Sequence, residues 1–240
     1  MKLLVSVVDA DEARVAAAAG ADIVDVKNPA EGSLGAPSPS VIAAVRGTVP
    51  AELPVSAAIG DMPNLPGTAA LAALGAARSG ATFVKVGLWG AATEAEAVDL
   101  LRAVRDGAAG SVVVAGAYAD AARVPDAPLA PQLLPRVARA AGVGVCLLDT
   151  AVKDGRGLLD WLSPDALTSL VAEAHAAGLE AALAGALRME DLSVVRATGA
   201  DIVGVRSAAC SGGRRSAPLD AARLRALVAA CAATPQRAFR

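Results

Sequence analysis

The stretch GADIVDVK at residues 20–27 is matched by GADIVGVR at residues 199–206 and, more loosely, by GATFVKV at residues 80–86. In each copy, a glycine of the kind that ends helices precedes a short run of apolar and β-branched residues. The match predicts repeated helix-to-strand units, although the common demands of helix-to-strand turns explain it equally well. It therefore supports a fold built from such units and leaves the function open.

Eight apolar runs of this kind alternate along the chain with segments of helical periodicity. The runs are continuous, which is typical of parallel strands covered on both faces. Eight units in 240 residues favour an α/β fold closed into a (β/α)8 TIM barrel, for which about 250 residues are usual. The predicted strands are Leu3–Val8, Ile23–Val26, Val55–Ile59, Phe83–Leu88, Val112–Ala115, Val143–Leu148, Ala181–Ala184 and Ile202–Val205.

No linker divides the chain, so we expect one domain over residues 1–240 with a frayed tail at residues 233–240. The Pro- and Gly-rich segments Asn28–Pro39 and Asp61–Gly67 follow the second and third predicted strands, where the functional loops of a barrel belong. A further loop is predicted at Pro125–Pro135.

Composition narrows the function. A net charge of −2 and an isoelectric point near 5.5 give no reason to expect nucleic acid as a partner. No apolar stretch reaches the ~18 residues of a membrane span, and the N-terminal residues lack a signal peptide. Three widely spaced cysteines and a single histidine argue against a metal site and favour a reducing compartment. We expect a cytoplasmic protein that acts on a small metabolite.

The distribution of lysine is the main clue to the chemistry. The chain has four lysines against eighteen arginines, and Lys27, Lys85 and Lys153 lie at or just beyond the ends of predicted strands. A TIM barrel gathers its reactive groups at the carboxyl ends of its strands. Because only an amine forms a Schiff base, these positions predict an imine-forming enzyme.

The lysines occur together with carboxylates. The spacing of Asp25 and Lys27 places both side chains on one face of a strand, so Lys27 either pairs with Asp25 or acts as a nucleophile of lowered pKa. Lys85 favours the second alternative, since a nearby like charge depresses an amine pKa and a neutral amine is a competent general base. Lys153 follows Asp149 at another strand end and is either part of the site or a solvated charge.

Glycine-rich turns after the seventh and eighth predicted strands indicate a phosphate site. Barrels commonly bind phosphate there through backbone N–H groups. Gly185, Gly212 and Gly213 allow close approach of the backbone, and Arg206, Arg214 or Arg215 supplies positive charge. A flexible surface loop is the alternative.

Several other residues are weaker candidates. His175 is expected to be a charge partner at a helix end, and Cys210 a small packed residue. Candidates for lining the pocket are Ser56, Trp89, Tyr118 and Asp120.

Taken together, the motifs resemble the (5-formylfuran-3-yl)methyl phosphate synthase family. The resemblance runs from about residue 2 to about residue 231. The combination of DVKNPAEGSLGA, VKVGL and LLDTAVKDG is its most specific part. The segments that carry it are LLVSVVDADEA, GADIVDVKNPAEGSLGAPSP, PVSAAIGDMPNLPGTAALAALGAARSGATFVKVGLWG, AGAYADAARV, LLDTAVKDG, ALAGAL and GADIVGVRSAACSGGRR.

The resemblance implies a (β/α)8 lyase of methanofuran biosynthesis that joins two molecules of glyceraldehyde 3-phosphate, with loss of phosphate and water, and needs no metal or organic cofactor. By motif, Lys27 is then the Schiff-base lysine and Lys85 the proton-transfer residue. Asp25, Asp149 and Lys153 complete the site. Such a chemistry belongs to one-carbon metabolism.

Two other functions remain open at this stage. One is an ordinary class I aldolase that acts on deoxyribose phosphate or a related sugar phosphate with the same lysines. The other is a barrel that binds a phosphorylated metabolite without catalysis, with Lys27 and Lys85 purely structural. In either case we expect a homo-oligomer, because alanine-rich helices pack readily against neighbours.

Overall fold

A computed structural model of the chain describes residues 1–125 and 128–232. Within these ranges eight parallel strands close into a barrel in chain order, and a helix follows each strand. The strands are β1 Lys2–Val7, β2 Ile23–Val26, β3 Val55–Asp61, β4 Phe83–Gly87, β5 Val112–Tyr118, β6 Val145–Asp149, β7 Glu180–Leu183 and β8 Ile202–Val205. The helices are α1 Ala10–Ala19, α2 Pro39–Thr48, α3 Pro66–Arg78, α4 Glu94–Gly107, α5 Leu134–Ala141, α6 Pro164–Ala176, α7 Leu192–Ala197 and α8 Ala221–Ala232.

The predicted TIM barrel and all eight predicted strands are confirmed, with β2 and β8 at the predicted bounds. The predicted loop at Pro125–Pro135 was too long, because α5 begins at Leu134 and accommodates Pro135 in its first turn. Residues 126–127 and the predicted frayed tail at 233–240 lie outside the described residues. No helix in the described ranges is long and apolar enough to cross a membrane.

The strands explain why the sequence reads as continuous apolar runs. In β2, Val24 and Val26 face the helices while Ile23 and Asp25 face the barrel interior, and all four are buried. Alanine allows the helices to approach closely, as in α3, whose alanines at 69, 73 and 76 lie in the outer core. Both faces of each strand are therefore covered, as a parallel barrel requires.

The barrel interior changes character from bottom to top. Its lower layer is apolar and includes Ile23, Val114 and Ile202. One inward-facing position further along β2, Asp25 is fully buried, and Lys85 of β4 occupies the same level. The strands thus carry charged side chains into the core just below the end of the barrel where their carboxyl termini meet.

A loop residue closes part of this end of the barrel. Leu34, in the loop after β2, is fully buried and packs with the interior cluster. A Cβ atom on Gly116 would come within 2.8 Å of Leu34 Cδ1, so glycine at this position leaves room for the leucine side chain. The Asp61 carboxylate fixes the loop by accepting hydrogen bonds from the N–H of Ser33 at 2.7 Å and of Leu34 at 3.2 Å. We call the sealed ends of β3, β4 and β5 the covered half, and the ends of β6, β7, β8, β1 and β2 the open half.

Candidate active site

The open half contains a cavity of about 190 Å³. Its wall combines the charged side chains of Lys27, Asp149 and Lys153 with the turns that follow β7 and β8, which add two arginines. The remaining lining residues are Ser6, Gly155, Ala184, Gly185, Ala186, Gly204, Val205, Arg206, Ser207 and Arg215. Several predicted site residues thus meet in one cavity: Lys27, Asp149, Lys153, Gly185, Arg206 and Arg215.

Lys27 follows the last residue of β2, and its backbone N–H donates to Val7 O at 3.1 Å, which continues the strand pairing. The residue is only 6% exposed. Burial lowers the pKa of Lys27 from 10.5 to about 7, against the opposing effect of the Asp149 charge and with a further lowering by Lys85. A substantial fraction of the amine is therefore neutral and nucleophilic near neutral pH.

Asp149, the last residue of β6, accepts a hydrogen bond from Lys153 Nζ at 2.7 Å and another from the Thr150 N–H at 2.7 Å. Burial alone favours the neutral acid, but Lys153 and Lys27 outweigh it and lower the pKa of Asp149 to about 2. Lys153 also donates to Thr150 Oγ1 at 3.0 Å. The cavity therefore holds an ionised carboxylate whose lysine partner is oriented by two oxygens.

Asp25 and Lys85 form a second pair, one layer deeper than the cavity wall. Lys85 Nζ lies 2.7 Å from both oxygens of Asp25, and Ser6 Oγ donates to Asp25 Oδ2 at 2.9 Å. Asp25 therefore pairs with Lys85 and not with Lys27. Lys27 forms no salt bridge with a described carboxylate. Ser6 lines the cavity, so it connects the deeper pair to the open space.

The turns after β7 and β8 present backbone N–H groups to the cavity. Gly185 has a φ of 110° and Ala186 a φ of 49°, which turns the chain sharply after β7. The N–H groups of Gly185, Ala186 and Ser207 donate to no other described residue. Convergent free N–H groups are the usual means by which barrels bind an anion at this position.

The other two predicted phosphate-binding glycines lie elsewhere. Gly213 borders a neighbouring cavity of about 450 Å³, and Gly212 lies in an exposed turn with a φ of 64°. The chain after β8 first forms a short 3₁₀ turn at Ser207–Ala209, which brings Ser207 rather than the glycine pair to the cavity with Lys27.

Of the three predicted phosphate-binding arginines, Arg206 already has its positive charge paired with a carboxylate. Its guanidinium contacts the Glu12 carboxylate, with Nη2 to Oε1 at 3.0 Å, and also donates to Ser6 O at 3.0 Å. Arg215 also lines the cavity, but it donates to the backbone O of Gly32 at 3.0 Å and forms no salt bridge with a described carboxylate. Arg214 is exposed.

Sequence reasoning missed Glu12 and Asp61 and gave little weight to Asp120. Asp120 accepts hydrogen bonds from the N–H groups of Ala151 at 2.7 Å and Val152 at 2.9 Å, which fixes the loop that carries Lys153. For two of these acids the sequence offered a signal, namely their position. Asp61 ends β3, and Asp120 lies just beyond the end of β5. Their roles depend on loop contacts that strand-end position does not reveal.

The weaker candidates lie away from the cavity. In the covered half, Tyr118 donates to Asp61 at 2.5 Å and packs edge-on against Trp89, with ring centroids 5.7 Å apart. Burial, together with Asp61, raises the pKa of Tyr118, so its hydroxyl stays protonated. Ser56 and Cys210 are buried. His175 contacts Asp201 at 2.8 Å, which confirms its predicted role as a charge partner.

A buried amine of lowered pKa, an ionised carboxylate beside it and glycine-rich turns at the open strand ends are typical of a TIM-barrel enzyme. The family model described as 4-HFC-P synthase matches residues 3–228. The (5-formylfuran-3-yl)methyl phosphate synthase of Methanocaldococcus jannaschii is 51% identical over 220 residues, which cover 90% of this chain and 93% of that protein. Its namesake from Methanosarcina mazei is 48% identical over 237 residues, with 97% and 100% covered. The chain therefore belongs to the 4-HFC-P synthase family.

Solved structures agree on the fold. A 3-hexulose-6-phosphate synthase superposes with a TM-score of 0.63 at 23% identity, covering 97% of this chain and all of that one. KGPDC from Streptococcus mutans superposes with a TM-score of 0.62 at 14% identity, covering 96% of each chain. At these identities the likeness supports the barrel architecture alone.

Proposed function

We propose that the protein condenses two molecules of glyceraldehyde 3-phosphate to (5-formylfuran-3-yl)methyl phosphate, with loss of phosphate and water, through a Schiff base on Lys27. The observation that carries the proposal is the Lys27 amine, which is buried in the open cavity, free of a salt bridge to any described carboxylate, and has a pKa of about 7. The family's name supplies the product. In relatives that make methanofuran, this reaction would serve its biosynthesis.

The first half of the reaction uses the two buried lysines. The neutral Lys27 amine adds to the carbonyl of one triose phosphate, and loss of water gives an imine that, once protonated, acidifies the adjacent C–H bond. The Asp25–Lys85 pair lies one layer below, close enough for Lys85 to influence the pKa of Lys27. The Asp25–Lys85 pair accepts the proton, with Asp25 holding the Lys85 amine in place.

The second half builds the ring. The resulting enamine couples with the second triose phosphate, and elimination of one phosphate, ring closure, dehydration and hydrolysis of the Lys27 imine release the furan aldehyde. These steps need protons to be delivered and removed on the cavity side. Lys153 Nζ and Asp149 Oδ1 are 2.7 Å apart at the cavity wall. Lys153 can deliver protons, and the ionised Asp149 can accept them.

The phosphate that the product retains is assigned to the turns after β7 and β8. Gly185, Ala186 and Ser207 line the same cavity as Lys27 and have N–H groups that donate to no described residue. A phosphate held there through backbone N–H groups leaves the rest of the triose directed towards the Lys27 amine.

The test is incubation with glyceraldehyde 3-phosphate, with and without borohydride, followed by intact mass and near-UV absorbance. We expect a reducible adduct and a furan chromophore from the wild type and from Lys2→Met, a control at an exposed lysine paired with Glu180. Both should disappear in Lys27→Met. An adduct without furan would indicate another class I aldolase, and absence of an adduct would favour the non-catalytic binding barrel.

The expected homo-oligomer also remains a proposal. Helix α3 exposes Leu71 at 72% and Leu74 at 40%, and Leu65 just before it at 53%, which favours burial against another copy of the chain. Sedimentation velocity of wild type and Leu71→Glu would test it, since a charge at that position should favour the monomer.

A further inference from the structure

A second cavity adjoins the one that contains Lys27. It has a volume of about 470 Å³ and lies between the loop after β2 and the loop after β6. Lys153 and Arg215 line both cavities, so the two spaces meet at these side chains. The remaining lining residues of the second cavity are Pro29, Ala30, Gly32, Ser33, Ala151 and Ser216.

Arg215 differs from the other cations of the site in its partners. Lys85 is paired with Asp25, Lys153 with Asp149, and Arg206 with Glu12. The guanidinium of Arg215 has no carboxylate partner among the described residues. Its Nη2 donates to Gly32 O at 3.0 Å, and its buried Nε has no hydrogen-bond partner in the described part of the chain. A partly buried guanidinium with an unsatisfied N–H group and no carboxylate of the described residues in direct contact favours an anionic ligand.

The two cavities have different walls. The first, which contains Lys27, includes the turns after β7 and β8, whereas the second includes the loops after β2 and β6. Because the two spaces meet at Lys153 and Arg215, a ligand in the second cavity can approach an enamine on Lys27 whose phosphate occupies the turns. The neighbouring cavity that includes Arg188 and Arg223 instead borders the β7 and β8 turns, away from Lys27.

We propose that Arg215, assisted by Lys153, binds the phosphate of the second triose phosphate in the cavity between the β2 and β6 loops. The inference rests on the proposed condensation and adds the location of its acceptor substrate. The planar guanidinium can give two N–H groups to phosphate oxygens, and Lys153 contributes a point charge on the same side. The acceptor aldehyde then lies between Arg215 and the Lys27 amine.

The experiment compares Arg215→Gln with two controls, Arg214→Gln at the exposed neighbouring arginine and Arg223→Gln in the other cavity. Trapping of glyceraldehyde 3-phosphate by borohydride reports on the first substrate, and furan formation reports on both. In Arg215→Gln, we expect trapping to stay within about twofold of wild type while furan formation at limiting substrate falls roughly 30-fold, as for one lost charge-assisted contact. Higher substrate concentration should recover part of the rate. Both controls should behave as wild type.

Arg215→Lys separates binding from loop support. Lysine retains the charge and should recover part of the furan rate at limiting substrate. A loss of maximal rate in Arg215→Gln that no substrate concentration relieves would assign Arg215 to holding the Gly32 loop and overturn the proposal. So would unchanged furan formation in Arg215→Gln, an equal loss of trapping and furan, or a loss confined to Arg223→Gln. Absence of any adduct in the wild type would instead overturn the condensation itself.

Discussion

The covered and open halves of the barrel end differ in how their polar groups are satisfied. In the covered half, Leu34 fills the space above β5, and Asp61 accepts hydrogen bonds from two loop N–H groups and from Tyr118. In the open half, the turns have N–H groups that donate to no described residue, and Arg215 forms no salt bridge with a described carboxylate. The same ring of strand ends is thus packed on one side and available for ligands on the other, and a single loop decides which.

The two buried lysines differ in the same way, one held by a partner and the other not. Lys85 lies under the covered half, where both oxygens of Asp25 hold its amine at 2.7 Å. Lys27 lies at the edge of the open half, and burial, with no carboxylate in direct contact, lowers its pKa to about 7. This difference supports the proposed roles, with Lys27, which forms no salt bridge with a described carboxylate, as the nucleophile and Lys85, which Asp25 holds in place, in proton transfer.

Replacing Lys85 should separate imine formation from proton transfer. In Lys85→Met, we expect the borohydride-trapped adduct on Lys27 to persist while furan formation falls about 10²- to 10³-fold, the usual size of one general-base contribution. Intact mass and absorbance on the same samples measure both quantities. Because the substitution leaves Asp25 buried without its partner, Lys85→Arg is needed as a variant that keeps the charge. Loss of the adduct in both variants would make the two lysines one functional unit.

The covered half can be opened by truncating its central side chain. Leu34→Ala should lower the free energy of unfolding by about 3 kcal/mol, as expected for deleting a fully buried leucine. Urea denaturation measures the loss, and Leu71→Ala, at a residue that is 72% exposed, should change stability by less than about 0.5 kcal/mol. Equal, small effects in the two variants would show that the loop is not part of the packed structure.

The lowered pKa of Lys27 has a cost in stability that depends on pH. Between about pH 7 and pH 10.5 the unfolded chain retains a proton on Lys27 that the folded chain has lost, so the contribution of this group to stability rises with pH in that window and is lowest below it. Lys27→Met removes the group. The stabilising effect of Lys27→Met should therefore be larger at pH 6 than at pH 9, by about 2.7 kcal/mol. Paired urea titrations at the two pH values test the sign, and a pH-independent difference would place the pKa of Lys27 near its ordinary value.

The smallest predicted effect is that of removing the Asp149 carboxylate. Since the Asp149 charge raises the pKa of Lys27, Asp149→Asn should lower it below about 7 and leave more neutral amine at acidic pH. We expect borohydride trapping at pH 6 to become roughly threefold faster in this variant, while the difference vanishes by pH 9. Furan formation should fall in the same variant because its proton acceptor is gone. A slower trapping rate at pH 6 would mean that Asp149 promotes imine formation directly.

Much of the candidate site could be predicted from the sequence because its residues occupy strand ends. Lys27, Asp149, Lys153 and Gly185 each follow or end an apolar run, and in a closed parallel barrel all such positions converge. The pairing of Asp25 with Lys85 could not be predicted in this way. It depends on which inward-facing side chains lie at the same level across the barrel, and strand register is set by the packing of the whole sheet.

The arginines show the same limit on what can be predicted from the sequence. Arg206 follows the β8 motif GADIVGVR and was a reasonable phosphate ligand, yet its guanidinium is neutralised by Glu12 from α1. Arg215 is only one of several arginines in a glycine-rich stretch. It lines the Lys27 cavity and forms no salt bridge with a described carboxylate. Charge compensation between residues almost two hundred positions apart leaves no signal in a local motif.

The sequence by itself determined the barrel, its eight strands and the presence of lysines at their ends, because apolar periodicity and helix-ending glycines are local properties of the chain. Only the tertiary structure decided which lysine is unpaired, which strand ends are sealed and which arginine keeps its charge available. These outcomes depend on burial and on contacts between distant segments, and it is burial in the folded barrel that shifts the pKa of Lys27.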